Sequence, residues 1–321
     1  MVGVAQLVEP RVVISAVVGS SPIVHPISRI NGVLRLFAGL AVMAGCVGHV
    51  HAAAPGSPAV VPTLFVAGDS TASSYNPNPK NQQGWGAVLQ PLFDESKLRV
   101  VDVARGGRSS RTFITEGHWD RMLEQVSAGD FVIIQFGHND SGALNQEPPG
   151  STRPLRARGT IPGIGNESEE IDNVITGKHE TVYSFGWYLR KMIADTRAKG
   201  ATPILLTLTK TNNWTDGRIP CTAESYRLWT WQTATNEKTA FIDLTRIIAD
   251  RFQHEGPEAV KAQFIDDTVH TNLTGAEANA RDAVSALRAL KGLPFKSMLS
   301  KSGRAVHADR GPPKNSVCPE F

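Results

Sequence analysis

The sequence predicts an α/β protein with a five-stranded parallel sheet that helices cover on both faces. Strand-like and helix-like segments alternate from residue 63 onward, which is the pattern of parallel strands joined by crossover helices. The first three strand-like segments each run into a polar cluster that contains glycine, and ligands bind beyond the carboxyl ends of such strands. With 321 residues, 41% of them hydrophobic and 20% charged, the chain has enough apolar material for a sizeable core.

Five segments have the composition of buried strands, because they are short, apolar and rich in β-branched residues. In chain order they are Thr63–Ala67, Leu98–Ala104, Phe131–Phe136, Pro203–Thr209 and Thr239–Leu244. In the flavodoxin-like strand order 2-1-3-4-5, the first strand lies between the second and the third. The polar clusters that follow these three strands then lie side by side at one edge of the sheet.

Helix candidates occupy the segments between the strands and after the last one. Their approximate bounds are 86–95, 117–128, 181–199, 224–237 and 274–290. Residues 141–180 interrupt the alternation, because they are rich in Pro, Gly, Arg and Glu and show no clear period. A loop of this length is typically functional or disordered. Residues 60–295 are predicted to form one domain, and residues 296–321 a surface extension.

Residues 1–54 have the pattern of a leader that directs export. Arg29 and Arg35 precede the apolar run Leu36–Val50, and small residues follow it in an A-x-A-like sequence. The run is too short and too rich in Gly and Ala for a membrane span, so no integral membrane association is expected. We expect a secreted or periplasmic protein, and a lipoprotein signal at Cys46 is the weaker alternative.

Charge argues against nucleic acid and membrane surfaces as partners. The formal charge is +3, and the leader, with three arginines and one glutamate, accounts for +2 of it. No basic stripe remains to bind phosphates or anionic lipid.

The chain has no CxxC and no HExxH pattern, so neither a metal nor another cofactor is expected. Cys221 and Cys318 lie outside the leader, and the sequence leaves open whether they form a disulfide or stay free thiols.

Four polar clusters carry the candidate chemistry, three of them directly after strands. They are Gly68-Asp69-Ser70, Gly106-Gly107-Arg108-Ser109, Gly137-His138-Asn139-Asp140 and Asp266-Asp267-Thr268-Val269-His270. Taken singly, each has an ordinary structural explanation as a turn, a helix cap or a surface pair. Their joint occurrence in this order, with three at the ends of neighbouring strands, favours a catalytic site over four unrelated turns.

Ser70, His270 and Asp267 have the residue types of a serine-hydrolase triad. A serine hydroxyl attacks an ester only when a base takes its proton, and the Nε2 atom of a histidine can be that base. A carboxylate on Nδ1 then orients the imidazole ring. Asp267, three residues before His270, has a better spacing for this role than Asp266, which competes for it.

Three groups are candidates for the oxyanion hole, the set of donors that stabilises the negative oxygen of a tetrahedral intermediate. They are the backbone N–H of Ser70, the backbone N–H of Gly107 and the side-chain amide of Asn139. Glycine at position 107 permits a close approach of the backbone to a substrate.

The four clusters match the blocks of the SGNH (GDSL) hydrolase family, which the chain resembles from about residue 63 to about residue 290. The likeness is greatest to rhamnogalacturonan acetylesterases, and it rests on longer matches around the clusters. These are Gly68–Ala72, Gly107–Phe113, Gly117, Phe136–Asp140 and Asp267–Thr271. The resemblance implies a three-layer α/β/α fold, and it assigns the triad and oxyanion-hole roles to the residues named above.

The resemblance also implies a serine esterase that removes O-acetyl groups from a polysaccharide, in particular from pectic rhamnogalacturonan. Two alternatives remain open. A lipase or thioesterase of the GDSL type would need an apolar acyl groove, whereas the insertion at 141–180 is polar and charged. A non-catalytic carbohydrate-binding protein would have no need of intact Ser70, Asp267 and His270.

Candidate substrate contacts come from one tryptophan and several arginines. Trp214 lies in a polar loop after the fourth strand, and its ring is suited to stacking on a sugar. Arg108 follows Gly107 directly and is suited to binding the carboxylate of a galacturonate residue. The same role is open to Arg111, Arg153, Arg156 and Arg158. Solvated surface charge is the alternative for each of these arginines.

Overall fold

Five parallel strands form the central sheet of the computed structural model, which describes residues 60–221 and 225–321. The strands, numbered in chain order, are β1 (Thr63–Gly68), β2 (Arg99–Asp102), β3 (Phe131–Gln135), β4 (Ser168–Asp172), β5 (His179–Tyr183), β6 (Thr202–Leu206) and β7 (Ala240–Ile242). The central sheet has the order β2-β1-β3-β6-β7, which confirms the predicted flavodoxin-like order, and β4 and β5 form a separate hairpin. The leader predicted over residues 1–54, with Cys46, lies outside the described residues.

Helices lie on both faces of the sheet. They are α1 (Ser110–Thr115), α2 (His118–Leu123), α3 (Phe185–Ala198), α4 (Tyr226–Asn236), α5 (Leu244–Glu255), α6 (Pro257–Lys261), α7 (Leu273–Ala289), α8 (Phe295–Met298) and α9 (Lys301–Ala305). Side chains of α1 to α4 belong to one buried cluster and side chains of α5 to α8 to another. Within the described residues, no helix combines the length and apolar character needed to cross a bilayer.

Strand β1 shows why the sheet must be covered on both sides. All six of its residues are buried, and successive side chains of a strand point to opposite faces. Leu64 and Val66 pack in the cluster with α5 and α7, whereas Phe65 and Ala67 pack in the cluster with α1 to α3. The continuous apolar run therefore produces the middle layer of a three-layer α/β/α fold.

The predicted helices differ from the observed ones mainly near glycine and proline. The candidate at 86–95 is two single 3₁₀ turns, Gly86–Val88 and Gln90–Leu92, and the second begins around Pro91, which has no N–H to continue a helix. The candidate at 117–128 is the short helix α2, which follows Gly117 in the left-handed conformation (φ +72°). The last two candidates agree with α4 and α7 to within two residues at each end.

The insertion at 141–180 contains regular structure that the sequence pattern did not reveal. Strands β4 and β5 pair antiparallel, and β5 takes residues that the pattern assigned to the start of a helix. Each strand buries only one apolar side chain, Ile171 in β4 and Val182 in β5, so no alternating pattern is visible. Helix α3 begins after β5, where the Ser184 side chain accepts a hydrogen bond from the Trp187 N–H.

Residues 296–321 pack against the domain more closely than a surface extension would. Leu299, Val306 and Cys318 are buried in the core cluster of α5 and α7. Cys318 forms a disulfide with Cys221, with 4.9 Å between the two Cα atoms. The structure thus decides the pairing that the sequence left open.

Candidate active site

Ser70 lies in the tight turn that follows β1. The Asp69 carboxylate accepts hydrogen bonds from the N–H and the hydroxyl of Thr71, both at 2.8 Å, and these bonds hold the turn closed. Tyr75 donates its hydroxyl proton to the Ser70 carbonyl at 2.7 Å. Only 8% of Ser70 is exposed, so its side chain is largely shielded and has a defined environment.

His270 and Asp267 meet Ser70 across 200 residues of sequence. His270 Nε2 lies 2.9 Å from Ser70 Oγ, and His270 Nδ1 lies 2.7 Å from Asp267 Oδ2. Asp267 Oδ1 accepts the backbone N–H groups of Val269 and His270 at 2.8 and 2.7 Å. These bonds use both carboxylate oxygens, so the orientation of the Asp267 side chain is fixed relative to the imidazole.

Electrostatics keep Asp267 ionised. Burial favours the protonated form, but the hydrogen bonds from the His270 side chain and from two backbone N–H groups outweigh it and lower the pKa of Asp267. Asp266 and Asp267 are both exposed on the same outer groove, but among the described residues only Asp267 makes hydrogen bonds to His270. The structure therefore brings Asp267, and not Asp266, to the histidine.

The loop that carries His270 is tied to the loop that follows Ser70. The Gln83 N–H donates to the Thr271 carbonyl at 2.8 Å, and the Thr271 hydroxyl donates to the Gln83 carbonyl at 2.7 Å. Immediately after, the Asn272 side chain caps the N-terminus of α7. The base is thus held between a helix cap and the loop that follows the serine turn.

Gly107 and Asn139 lie beside Ser70 in one cleft. Gly107 has φ +78°, a conformation that glycine adopts without strain. The Asn139 side chain is 6% exposed, and its amide donates one hydrogen bond to the Arg108 carbonyl at 2.9 Å. That bond determines how the amide is turned and leaves its second N–H hydrogen for another acceptor.

Asp140 joins the loops that follow β2 and β3, a role that the sequence did not indicate. It is fully buried, and its carboxylate accepts hydrogen bonds from the backbone N–H and the hydroxyl of Ser110 in α1. Burial, only partly offset by these bonds, raises the pKa of Asp140 to about 7. Asp140 thus fixes Asn139, its neighbour in sequence, relative to the loop of Gly107.

The cleft has a volume of about 550 Å³, and most of the residues that line it carry polar or charged side chains. Its walls come from the serine turn, the loop after β2, the loop after β3 and the insertion. The residues are Ser70, Tyr75, Gln82, Gly106, Gly107, Asn139, Gly142, Glu147, Arg153, Pro154, Arg156, Arg158 and His270. Tyr75 and Gln82 were missed by the sequence reasoning, because no spacing marks them within the loop after Ser70.

The other predicted substrate contacts have different surroundings. Arg108 forms an ion pair with Glu116 at 2.8 Å and is not among the residues that line the cleft. Trp214 lines the outer groove beside Asp267, and its indole N–H donates to the Asn212 side chain at 2.7 Å. Arg111 is fully buried and paired with Glu180, so it cannot contact a substrate. The roles of Arg108 and Trp214 stay predictions.

Comparison with known proteins identifies the family. A model of the GDSL-like Lipase/Acylhydrolase family matches residues 66–278. The rhamnogalacturonan acetylesterase of Emericella nidulans is 29% identical over 244 residues, which is 76% of this chain and 91% of that protein. The probable rhamnogalacturonan acetylesterase YesY of Bacillus subtilis is 30% identical over 243 residues, which is 74% of this chain and 97% of that protein. The crystal structure of Bacillus subtilis YxiM is similar with a TM-score of 0.57 and 29% identity, covering 72% of this chain and 58% of the YxiM chain.

The family match spans two thirds of the chain and includes the four polar clusters. It also extends over all five strands of the central sheet apart from the first residues of β1. The resemblance that the motifs predicted is therefore confirmed. This chain belongs to the GDSL-like lipase/acylhydrolase family of carboxylic ester hydrolases.

Proposed function

We propose that this protein is a serine acetylesterase that removes O-acetyl groups from a polysaccharide, specifically from pectic rhamnogalacturonan. The observation that carries the proposal is the series of contacts from Ser70 Oγ to His270 Nε2 and from His270 Nδ1 to Asp267 Oδ2. The names of the relatives from Emericella nidulans and Bacillus subtilis support the substrate class.

In the acylation step, Ser70 Oγ attacks the acetyl carbonyl while His270 Nε2 takes its proton. The Asp267 carboxylate stabilises the imidazolium that forms, and it holds the ring in the tautomer that accepts at Nε2. The oxyanion receives hydrogen bonds from the N–H groups of Ser70 and Gly107 and from the Asn139 amide, each of which is typically worth about 3 kcal/mol. His270 then gives its proton to the departing sugar hydroxyl, which leaves an acetyl group on Ser70.

In the deacylation step, a water molecule takes the place of the sugar. His270 removes a proton from the water, the hydroxide oxygen attacks the acetyl carbonyl, and the same donors stabilise the second oxyanion. Collapse of that intermediate releases acetate and returns the proton from His270 to Ser70 Oγ. The cycle needs no metal or organic cofactor.

The decisive experiment replaces the nucleophile. Ser70→Ala should lower the turnover of p-nitrophenyl acetate by at least roughly 10⁴-fold, because the remaining donors and binding contacts supply only a small part of the rate. Ser96→Ala, an exposed serine in a turn before β2, is the matched control and should hydrolyse the ester like wild type. Unchanged turnover in S70A would show that another group is the nucleophile.

A second measurement separates an acetylesterase from a lipase. Polar and charged side chains predominate among the residues that line the cleft, so the rate should fall steeply from acetyl to butyryl to octanoyl p-nitrophenyl esters. Wild type should also release acetate from acetylated rhamnogalacturonan in a panel of acetylated plant and bacterial polysaccharides. A preference for octanoyl esters, with no acetate from any pectin fraction, would favour the lipase alternative.

The proposal includes export, because residues 1–54 have the leader pattern and the polymeric substrate lies outside the cell. N-terminal sequencing of the protein recovered outside the cytoplasm should find a start close to residue 55. A full-length protein retained in the cytoplasm would contradict this part of the proposal.

A further inference from the structure

Three arginines of the insertion line the cleft that contains Ser70. Arg153, Arg156 and Arg158 face a lining in which, among the described residues, Glu147 carries the only carboxylate. The Nη1 atoms of Arg156 and Arg158 lie 3.5 and 3.6 Å from where a Cβ of residue 107 would stand. Two guanidinium groups therefore approach the loop of the proposed oxyanion hole.

Arg158 already has a structural partner. Its Nη1 donates to the Gly107 carbonyl at 3.0 Å, and the side chain is half-buried. Burial and the repulsion by the neighbouring charge of Arg156 lower the pKa of Arg158, and the carboxylates of Asp69, Asp140 and Glu147 only partly offset this effect. We assign Arg158 to the positioning of the Gly107 loop.

Arg153 and Arg156 differ from Arg158 in their surroundings. Both are exposed, and within residues 60–221 and 225–321 neither guanidinium makes a hydrogen bond or an ion pair. Nearby arginines of the same chain differ, since Arg108 is paired with Glu116 and Arg111 with Glu180. The guanidinium groups of Arg153 and Arg156, each with several N–H donors, thus face the cleft.

The backbone that carries these arginines is held firmly. The N–H groups of Gly159 and Thr160 donate to the carbonyls of Ala143 and Asp140 at 2.8 and 3.0 Å. A Cβ at residue 159 would lie 2.0 Å from the Gly142 carbonyl oxygen, so only glycine fits this contact. Ala157 is buried and has φ +42°, a conformation that costs a non-glycine residue about 1 kcal/mol. The segment is therefore seated by the fold with Arg156 on the cleft side.

We propose that Arg153 and Arg156 form a subsite for a carboxylate of the substrate, which selects polysaccharides that contain uronic acid. The planar guanidinium donates two parallel hydrogen bonds to the two oxygens of a carboxylate. A neutral sugar has no carboxylate to accept them. Because Arg156 adjoins Gly107, the carboxylate belongs to the sugar that carries the acetyl group or to its immediate neighbour. The inference deepens the proposed acetylesterase function and rests on it.

The kinetic test compares an acidic polymer with a neutral ester. For Arg156→Gln, the ratio of kcat/KM on acetylated pectin to kcat/KM on p-nitrophenyl acetate should fall about tenfold, mainly through KM, because a charge-assisted contact is lost. Arg153→Gln should lower the same ratio less, and the double variant should lower it most. Arg310→Gln makes the same charge change at an exposed site outside the cleft and should leave the ratio unchanged.

A binding measurement distinguishes failure of the subsite from failure of the proposed function. S70A should bind oligogalacturonate in calorimetry more tightly than its carboxyl-reduced counterpart, and added salt should weaken the binding. S70A/R156Q should lose most of this difference. Equal binding of both oligosaccharides, or equal ratios in R156Q and R310Q, would overturn the subsite and leave the serine mechanism intact. A wild-type protein that binds oligogalacturonate through Arg156 but hydrolyses no ester would overturn the esterase instead.

Discussion

Asp266 and Asp267 show how neighbouring carboxylates acquire different properties. Asp267 accepts three hydrogen bonds, two from backbone N–H groups and one from the imidazole. Asp266 lines the same outer groove as Asp267, and within the described residues its carboxylate makes no hydrogen bond to His270. Since both residues carry the same charge, a comparison of the two tests geometry and not charge.

We expect Asp267→Asn to lower kcat on p-nitrophenyl acetate by roughly 10³-fold or more, because the asparagine amide no longer selects the tautomer that accepts at Nε2. Asp266→Asn is the matched control and should retain nearly wild-type kcat. Equal losses in the two variants, or a larger loss in D266N, would contradict the assignment of Asp267.

Asp102, at the end of β2, links a buried carboxyl to the pH dependence of stability. Its Oδ1 accepts the Ala104 N–H at 3.0 Å, whereas Oδ2 is buried and has no hydrogen-bond partner among the described residues. Burial raises the pKa of Asp102 to about 7, against an ordinary value of about 4. Between about pH 4 and pH 7, Asp102 therefore keeps a proton in the folded protein and loses it in the unfolded chain. The bound proton stabilises the folded state at low pH, and this stabilisation is lost as the pH rises through about 7.

Asp102→Asn cannot ionise and keeps an acceptor for the Ala104 N–H. Relative to wild type, the free energy of unfolding of D102N should increase by on the order of 2 kcal/mol between pH 5 and pH 8. Urea unfolding of both proteins at the two pH values measures this difference. Asp266→Asn serves as the control for an exposed carboxylate. Parallel pH profiles for D102N and wild type would mean that Asp102 is not buried in its neutral form.

At the scale of the element, the short helix α1 contacts both the loop after β3 and the insertion. Its N-terminus is closed by a capping box between Ser109 and Thr112, and Ser110 holds Asp140. Arg111 reaches in the other direction and is bound bidentately by Glu180 of β5, at 2.6 and 2.7 Å. Arg111 Nη1 also donates to the carbonyls of Leu144 and Gly159. Helix α1 therefore binds the insertion at three separate residues, Leu144, Gly159 and Glu180.

Removal of this attachment should affect both stability and the insertion. Arg111→Met should lower the free energy of unfolding by about 3 kcal/mol, because Glu180 and two carbonyls lose their partner in a buried site. Amide hydrogen exchange should become faster in residues 142–183 than in the central strands. Arg121→Met, an exposed arginine of α2, is the control and should change neither quantity. Unaltered exchange in the insertion of R111M would show that other contacts hold it.

At the scale of the whole molecule, the disulfide connects the loop after β6 to the C-terminal residues. Cys221 and Cys318 are 97 residues apart in sequence, and the bond closes the part of the chain that contains α4 to α9. Phe321 then stacks on Trp231 of α4, with 5.0 Å between ring centroids. The ring of Phe321 also contacts Phe241 of β7, so the C-terminal residues cover this side of the sheet.

A cross-link over so long a loop restricts the unfolded chain strongly. The double variant Cys221→Ser/Cys318→Ser should lose about 4 kcal/mol of unfolding free energy in the chain-entropy account, as measured in urea. Neither cysteine lines the cleft, so the folded variant should still hydrolyse p-nitrophenyl acetate. Addition of a reductant should destabilise wild type and leave the double variant unchanged. Equal unfolding midpoints for wild type and variant would show that the bond does not contribute.

The sequence by itself determined the sheet and the polar clusters at its carboxyl edge. Short apolar runs mark the strands, and the topology of a parallel sheet brings the ends of β1, β2 and β3 together. Ser70, Gly107 and Asn139, which follow these strands, line one cleft. The spacing of three residues between Asp267 and His270 is a local signal, and their hydrogen bond depends on little else.

The tertiary structure alone decided which side chains face the cleft and how the insertion is held. Arg108, Arg111 and Arg156 look alike in the sequence, yet one pairs with Glu116, one is buried against Glu180 and one is exposed beside Gly107. The disulfide and the environments of Arg111 and Arg156 depend on partners far away in the sequence. Such contacts have no local period, because they arise only when packing brings distant segments to one place.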